Sequence, residues 1–286
     1  MKLLVSLFHT SDLNTLCVFD ENFNNIGFFG HKDFNNAKGI ALFDNKILVA
    51  HKNTEGECFI VIYSKEKFKI IQKISLPETK DIHSILIKDH KLFVVSSGTN
   101  EIHVYKLVDI LKLNRIYPTE RIRPIKDCNV LIDEFHFNSV NNLNEMIIVS
   151  AFGKKKNEGD KWVEQNNGFI LNVDNNNVLN KESIKHPHSL VVVNEDLFFC
   201  ESGKNNIFKN NQTIIENIDG YPRGLAILED KYIFVGSSTR IYDDKKSKNK
   251  SKIIRFCLKN NSYIIGNSFI FDDSNLEIYD IICLNY

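Results

Sequence analysis

The fold is decided by a short unit whose clearest copy reads HPHSLVVVNEDLFFC from His186 to Cys200. A polar residue, His188, leads into an apolar run, a polar turn follows, and a second apolar run completes the unit. Two short apolar runs that are rich in β-branched and aromatic residues and joined by a polar turn are typical of a β-hairpin. The unit therefore predicts two antiparallel strands.

Further copies of this unit precede and follow it along the chain. Each copy begins with a polar or charged residue, which we term the lead residue, and continues with an apolar run, a turn and a second apolar run. Successive lead residues are 35 to 57 positions apart, which leaves room for about four short strands per copy. The lead residues are Lys38, His83, Asn138, His188, Arg223 and Asp280.

The last copy, from Asp280 to Leu284, has no room for its own second strand before residue 286. Strand-like runs at the start of the chain can supply the missing partner. We therefore predict an all-β, six-bladed β-propeller in one domain, residues 1–286, closed by the C-terminal strand joining N-terminal strands. A β-sandwich is the alternative, but it would need neither the period nor the orphan last strand. The N-terminal runs are Lys2–Phe8, 15–20 and Asn25–Phe29.

Charge and hydropathy exclude several kinds of protein. The chain has 36 Lys and Arg against 36 Asp and Glu, whereas affinity for nucleic acid needs a positive surplus on one face. Its apolar runs are far shorter than the roughly 20 residues that span a bilayer. Six scattered cysteines without a C-x-x-C pair indicate buried thiols rather than disulfides or zinc. We therefore expect a cytoplasmic protein without nucleic-acid or membrane partners.

Binding residues are expected at one rim of the propeller. The first strand of each blade begins at that rim, and the corner between the second and third strands returns to it. The expected positions are the lead residues, the residues two positions before them, and the corner residues. Of the 9 histidines, about one would fall at these positions by chance. Six do so, namely His9, His51, His83, His136, His186 and His188.

Three of these histidines predict a metal site. Imidazoles of His83, His136 and His188, converging from neighbouring blades, would match the ligands of a catalytic zinc or iron ion. Glu201 could complete the site or act as a base. The metal-free alternative uses His83 or His188 as general acid or base, with a basic lead residue holding an anion. The predicted substrate-binding residues are Lys38, Asn138, Trp162, His186, Tyr221, Arg223 and Asp280.

Two functions of different classes remain open. The first is an enzyme, with or without a metal ion, that acts on a small polar, anionic or sugar-derived substrate by hydrolysis, elimination or isomerisation. Trp162, the only tryptophan, lies in a polar loop above the predicted rim, where it could stack on a ligand or cap the channel. The second is a non-catalytic propeller that binds a protein or glycan on one face. Neither the substrate nor the oligomeric state follows from the sequence.

Two motifs are specific enough to compare with known families. They are HPHS, beginning at His186, and GYPRGLA, beginning at Gly220. Through these motifs, residues 133–242 resemble an uncharacterised bacterial β-propeller family, a domain of unknown function. The resemblance implies a propeller and supports the rim residues, but it implies no reaction. The repeat is also distantly similar to gluconolactonase-like and NHL-type six-bladed propellers, whose metal ligands are chiefly carboxylates and Asn, unlike the histidines here.

Overall fold

A computed structural model describes most of the chain. The described residues are 1–8, 14–30, 34, 36–155, 157, 159–180, 182–229, 231–239, 250–260, 262–273 and 276–284. His9 lies outside them, as does most of the polar, lysine-rich stretch 243–252. The contacts within the chain divide it into two compact units. We call Met1–Ala37 with Lys185–Tyr286 the terminal unit, and Lys38–Ile184 the middle unit.

The middle unit contains three antiparallel sheets. The first sheet consists of β4 (Ala37–Phe43), β5 (Lys46–Lys52), β6 (Cys58–Ser64) and β7 (Ile70–Ser75). The second consists of β8 (Ile82–Lys88), β9 (Lys91–Ser96), β10 (Glu101–Lys106) and β11 (Glu120–Ile122). The third consists of β12 (Phe137–Leu143), β13 (Met146–Ala151) and β14 (Phe169–Asn172).

The terminal unit contains the other three sheets. One consists of β15 (Pro187–Val193), β16 (Asp196–Glu201), β17 (Asn206–Lys209) and β18 (Gln212–Ile215). The next consists of β19 (Tyr221–Leu228), β20 (Tyr232–Ser238), β21 (Lys252–Lys259) and β22 (Ser262–Ile270). The last joins β1 (Lys2–Phe8), β2 (Leu16–Asp20) and β3 (Asn25–Phe29) to β23 (Glu277–Leu284).

These six sheets are the blades of a β-propeller, as the repeat predicts. In the last sheet the order is β23-β1-β2-β3, so the C-terminal strand completes the blade that the N-terminal strands begin. Leu3 pairs with Cys283 and Val5 with Ile281 in an antiparallel register. The predicted closure is therefore confirmed.

The core consists mainly of apolar residues from the first three strands of the blades, with smaller contributions from fourth strands, such as Ile74 and Ile215. In the middle unit, Leu48, Ile60 and Ile85 belong to one buried cluster, and Val95 and Phe137 belong to another. Because the blades pack face to face, inner strands are buried on both faces and read as nearly continuous apolar runs. Such runs explain why the repeat is visible in the sequence without strict alternation.

Few helical residues interrupt the strands. One short helix, α1, follows β10 and covers Leu107–Ile110. The polar loop that contains Trp162 has a short 3-10 turn, Trp162–Glu164. The described residues contain no helix that has both the length and the apolar character to cross a membrane. All six cysteines are free thiols.

Candidate functional site

The first strands of four blades are preceded by the same backbone feature. The residue two positions before the lead residue has a left-handed conformation, which Asn, Asp and His tolerate better than most side chains. In the blade that begins with β19, Gly220 takes a positive φ of 106° next to the equivalent position. The left-handed residues are Asn36 (φ 54°), Asp81 (52°), His136 (51°) and His186 (54°).

The carbonyl of this left-handed residue fixes the corner of the same blade. Asp81 O accepts a hydrogen bond from the Ser97 amide at 3.3 Å, and His136 O accepts one from the Phe152 amide at 3.3 Å. His186 O does the same for Ser202 at 3.2 Å. In each of these three blades, the left-handed residue, the lead residue and the corner therefore lie at the same end.

A β-bulge follows at the lead residue. The pairing of first and second strands shifts between Ile82 and Ile85, between Phe137 and Val140, and between Pro222 and Leu225. A bulge adds one residue to one strand and redirects the side chains there. The lead residues His83, Asn138 and Arg223 lie within these bulges.

In the middle unit, three potential metal ligands come together. The ligand atoms of Asp81, His83 and His136 all lie within 4.8 Å of one another. His83 Nε2 is 3.2 Å from Asp81 Oδ2, and the two imidazole rings are 4.8 Å apart at 82°. We call these three residues the Asp81 cluster. The sequence analysis predicts His83 and His136 as ligands of one metal ion, but it does not predict Asp81 as a ligand.

Two lysines hold the other oxygen of Asp81. Lys38 Nζ donates to Asp81 Oδ1 at 3.1 Å and Lys52 Nζ at 2.8 Å. The Lys38 side chain is only 4% exposed. Burial raises the pKa of the Asp81 carboxyl, but nearby positive charge, that of Lys38 foremost, outweighs it and holds that pKa well below its usual range. The ionised form of Asp81 is therefore favoured near neutral pH, and its Oδ2 faces His83.

Neighbouring amides determine which nitrogen of His83 carries a proton. Asn138 Nδ2 donates to the His136 carbonyl at 3.0 Å, so Asn138 Oδ1 faces His83 Nδ1 at 2.9 Å. Because Oδ1 only accepts, Nδ1 must be the protonated nitrogen. Burial, followed by the charge of Lys38, lowers the pKa of His83 well below its ordinary value and favours the neutral ring. In that ring Nε2 directs a lone pair towards the Asp81 carboxylate.

His136 is oriented by a carboxylate. Asp133 Oδ2 lies 2.5 Å from His136 Nδ1, and Asp133 Oδ1 accepts the His136 amide at 2.9 Å. A carboxylate on one imidazole nitrogen fixes the tautomer and leaves Nε2 as the ligand atom, as in many metal sites. Asp133 precedes His136 by three residues in an irregular segment, where the repeat gave no signal for it.

An aromatic wall lies against His136. The Phe152 ring is 4.8 Å from the His136 ring, and the Trp162 ring is 4.7 Å away at an angle of 30°. Lys155 Nζ lies 4.1 Å from the centre of the Trp162 ring. The structure therefore places Trp162 beside a predicted site residue at the rim end of its blade.

His188 occupies the equivalent lead position in the terminal unit. Its Nδ1 is 2.9 Å from Ser202 Oγ and 3.1 Å from the His186 carbonyl. Ser202 Oγ donates to the Pro222 carbonyl at 2.5 Å, so His188 Nδ1 is the donor in its contact with that hydroxyl. Tyr221 packs edge-on against the His188 ring at 5.5 Å. The contribution of His188 to a metal site stays a prediction.

The predicted carboxylate Glu201 is used within its own blade. It is only 2% exposed, and its Oε1 accepts the Lys185 amide at 3.0 Å and the Lys204 ammonium at 2.9 Å. Ser96 Oγ accepts the Lys80 amide at 2.9 Å in the same place of another blade. These contacts favour a structural role for Glu201, so we do not include it in the proposed site.

Three further residues at the predicted rim positions have local partners or neighbours. Asp280 Oδ1 accepts the amide of Ile281 at 2.9 Å. His51 is fully buried and stacks on Phe59, with ring centres 5.4 Å apart. His186 is buried, and its ring lies 6.1 Å from Tyr221. These contacts place the side chains but assign them no chemistry.

A buried histidine outside the Asp81 cluster is expected to make the stability of the protein depend on pH. His103 is 1% exposed; its Nδ1 lies 3.0 Å from Thr79 Oγ1 and its Nε2 3.1 Å from Glu101 Oε2. Burial lowers the pKa of His103 despite the opposing effect of Glu101. Below about pH 6.5 the His103 side chain therefore binds a proton more readily in the unfolded chain than in the folded protein. The free energy of unfolding should decrease as the pH is lowered.

Replacing His103 with Gln should flatten that dependence. We expect urea unfolding of His103→Gln to lose less stability between pH 7 and pH 5 than the wild type does. His90→Gln, at an exposed turn position, should retain the wild-type slope. Equal slopes for the wild type and His103→Gln would show that His103 does not resist protonation in the folded protein.

The fold and the rim residues together define a class: an all-β, six-bladed propeller whose first strands carry histidines, carboxylates and basic residues at one end. The chain belongs to the family described as Domain of unknown function (DUF4915), whose model matches residues 2–285. The similarity to a family of unknown function therefore covers nearly the whole chain and not only residues 133–242. No curated protein matches the sequence.

Several solved structures share the fold. One chain in the crystal structure of a nidogen/laminin complex is 11% identical to this protein and has a TM-score of 0.63. The match covers 98% of this chain and 97% of that chain. A luciferin-regenerating enzyme is 12% identical, with coverages of 84% and 77% and a TM-score of 0.57. A putative 6-phosphogluconolactonase from Bacteroides fragilis NCTC 9343 is 10% identical, with coverages of 94% and 82% and a TM-score of 0.59. At these identities the likeness shows the fold alone.

Proposed function

We propose that this protein is an enzyme that uses a divalent metal ion, held by Asp81, His83 and His136, to act on a small anionic substrate. The observation that carries the proposal is the 3.2 Å contact between His83 Nε2 and Asp81 Oδ2. Both atoms are hydrogen-bond acceptors when His83 is neutral, and two facing acceptors repel each other unless a cation lies close to both. The nearby His136 offers a third donor atom.

The donor set indicates which metals fit. Two imidazoles and one carboxylate are ligands of iron(II) in oxygenases and of zinc in hydrolytic enzymes. Asn138 and Asp133 supply the outer hydrogen bonds that orient such imidazoles. Three protein ligands leave positions open for water and substrate, and a bound zinc ion lowers the pKa of its water to about 7.

The charge around the Asp81 cluster supports an anionic substrate. Lys38 and Lys52 balance the charges of Asp81 and Asp133, so a divalent ion would leave two positive charges uncompensated. A dianionic substrate phosphate, or a substrate carboxylate together with a metal-bound hydroxide, would restore neutrality. The aromatic wall of Phe152 and Trp162 offers an apolar surface for the body of the substrate.

Hydrolysis is the reaction class to test first, because metal-bound hydroxide is a nucleophile at neutral pH. Two of the structural neighbours are called a luciferin-regenerating enzyme and a putative 6-phosphogluconolactonase. Proteins that share this fold are therefore named for small-molecule chemistry. Because one fold hosts many functions, the proposal itself rests on the residues of the site. Elimination and isomerisation remain alternatives.

Elemental analysis tests the metal site directly. Untagged protein incubated with zinc or iron(II) and then desalted should retain about one equivalent of metal. Asp81→Asn, His83→Ala and His136→Ala should each lose it, because three-ligand sites rarely survive removal of one ligand. His90→Ala, in an exposed turn of the same blade as His83, is the matched control and should keep the metal. Melting temperatures establish that each variant is folded.

A fourth variant distinguishes the two possible ligand sets. His188→Ala should keep the metal if Asp81 is the third ligand, and should lose it if His188 is. Wild-type protein that stays metal-free would overturn the proposed metal site. It would favour either metal-free acid–base chemistry at His83 or a non-catalytic propeller that binds a protein or glycan.

A further inference from the structure

The Arg223 guanidinium in the terminal unit has donors without acceptors. Its side chain is only 13% exposed, and its buried Nε has no hydrogen-bond partner. In the part of the chain that the structure describes, no hydrogen bond is formed by any of its N–H groups. Leaving a buried charged donor unsatisfied is strongly unfavourable, so native proteins almost always provide an acceptor. At this position the acceptor is expected to be a ligand.

The guanidinium is nevertheless held in a fixed orientation. The Arg223 Cζ atom lies 3.5 Å from the centre of the Tyr279 ring, close enough for stacking and cation–π attraction. The Arg223 backbone lies in the bulge of β19, and a Cβ at Gly236 would come within 2.3 Å of the Arg223 carbonyl. This close approach requires glycine at position 236 and fixes the backbone from which Arg223 projects.

Only one carboxylate in the described residues forms an ion pair with this arginine, and that pair is long. Glu277 Oε2 is 3.8 Å from Arg223 Nη1, beyond hydrogen-bond distance. The buried Nε belongs to another edge of the guanidinium, which it shares with Nη2. Two parallel N–H groups on one edge are the arrangement that binds a carboxylate or phosphate through two oxygens.

The geometry points to Arg223 as the binding site for the carboxylate of a small hydroxylated acid. Glu277 already neutralises part of the arginine charge, which disfavours a dianionic phosphate relative to a monoanionic carboxylate. The first strands of this unit also carry polar side chains at the rim end, namely Tyr221, His188 and Asp280. Such side chains suit a ligand body with hydroxyl groups better than an alkyl chain.

This inference goes beyond the proposed metal chemistry, because Arg223 and its partners lie in the terminal unit. It is tested with metal-free protein by isothermal titration calorimetry and ligand-observed NMR. The probes are gluconate, hexanoate, glucitol and inorganic phosphate. Gluconate carries both a carboxylate and hydroxyls, hexanoate only the carboxylate, and glucitol only hydroxyls. We expect gluconate to bind at least about ten-fold more tightly than each of the others.

Variants of Arg223 identify the site. Arg223→Met should weaken gluconate binding at least about ten-fold, and Arg223→Lys should recover only part of it, because lysine lacks the paired N–H groups. Arg255→Lys is the matched control, because Arg255 also has a buried Nε without a hydrogen-bond partner and also faces a tyrosine, Tyr232, at 5.5 Å. Unlike Arg223, Arg255 already has an acceptor within the protein, since its Nη1 donates to Glu21 O at 2.7 Å.

The outcomes separate this inference from the metal proposal. Gluconate binding that depends on Arg223 and persists in His83→Ala supports the inference whatever the metal analysis shows. Equal binding of gluconate and hexanoate would restrict the site to plain carboxylates and overturn the hydroxylated-acid assignment. Preference for inorganic phosphate, undiminished gluconate binding by a folded Arg223→Lys, or no binding of any probe would overturn the carboxylate site itself.

Discussion

Replacement of Asp81 by Asn is expected to lower the free energy of unfolding by about 3–5 kcal/mol, the usual cost of breaking a buried ion pair. The reason is Lys38, whose ammonium lies 3.1 Å from the carboxylate in a side chain that is 4% exposed. An amide offers this buried charge a dipole in place of a full negative charge. Urea unfolding of the metal-free protein at pH 7 measures the loss.

A double-mutant cycle shows whether Lys38 is the cause. Lys38→Met removes the buried charge and keeps an apolar side chain of similar length, so Asp81→Asn should cost much less in that background. Lys52→Met is the matched control, because Lys52 pairs with the same oxygen but is 33% exposed. Its own pair should contribute no more than about 1 kcal/mol. Additive effects of Asp81→Asn and Lys38→Met would contradict a direct coupling.

The pH dependence of this loss has a definite sign. Because positive charge, that of Lys38 foremost, outweighs burial and holds the pKa of Asp81 well below its usual range, the ion pair keeps its contribution above the pKa of the unfolded chain. That contribution is lost only as the pH falls through the lower, folded pKa. The difference between wild type and Asp81→Asn should therefore stay nearly constant from pH 7 to pH 5, whereas the His103 contribution changes over that interval.

The propeller was predictable because its repeat involves every blade. A polar lead residue before a buried strand recurs at each first strand, and the incomplete copy at Asp280 indicates how the ring closes. Local pairing rules then place the lead residues and the corners at the same end. No long-range information was needed beyond the assumption that the copies fold alike.

The candidate site was predictable only where it follows the repeat. His83 and His136 occupy repeating positions, and they lie together. Asp81 also precedes its lead residue by two positions, but nothing in the sequence shows that its carboxylate turns towards His83. Asp133 lies in an irregular segment outside the repeated unit, so the repeat gives no signal for it. The corner position of Glu201 likewise does not reveal that its carboxylate accepts the Lys185 amide, and its catalytic role stays a prediction.

The C-terminal strand should be indispensable for folding, because its removal breaks the blade that joins the two ends of the chain. Ile278, Ile281 and Leu284 are each at most 1% exposed, and each contributes about 1.5–3 kcal/mol by burial. Together they approach the whole stability of an ordinary domain, about 5–15 kcal/mol. A chain that ends at Leu276 should show no cooperative thermal unfolding by circular dichroism, and it should aggregate through the exposed edge of β1.

Complementation separates loss of this strand from general damage to the protein. A peptide with the sequence of residues 277–284, added to the truncated chain, should restore a cooperative transition by pairing with β1, as Val5 pairs with Ile281 in the intact chain. The matched control peptide carries Ile278→Asp and Ile281→Asp, which place charges at buried positions and should abolish the rescue. Cooperative unfolding of the truncated chain within about 1 kcal/mol of the full-length protein would contradict this account. In that case the ring would be stabilised by packing between blades and would not depend on the shared sheet.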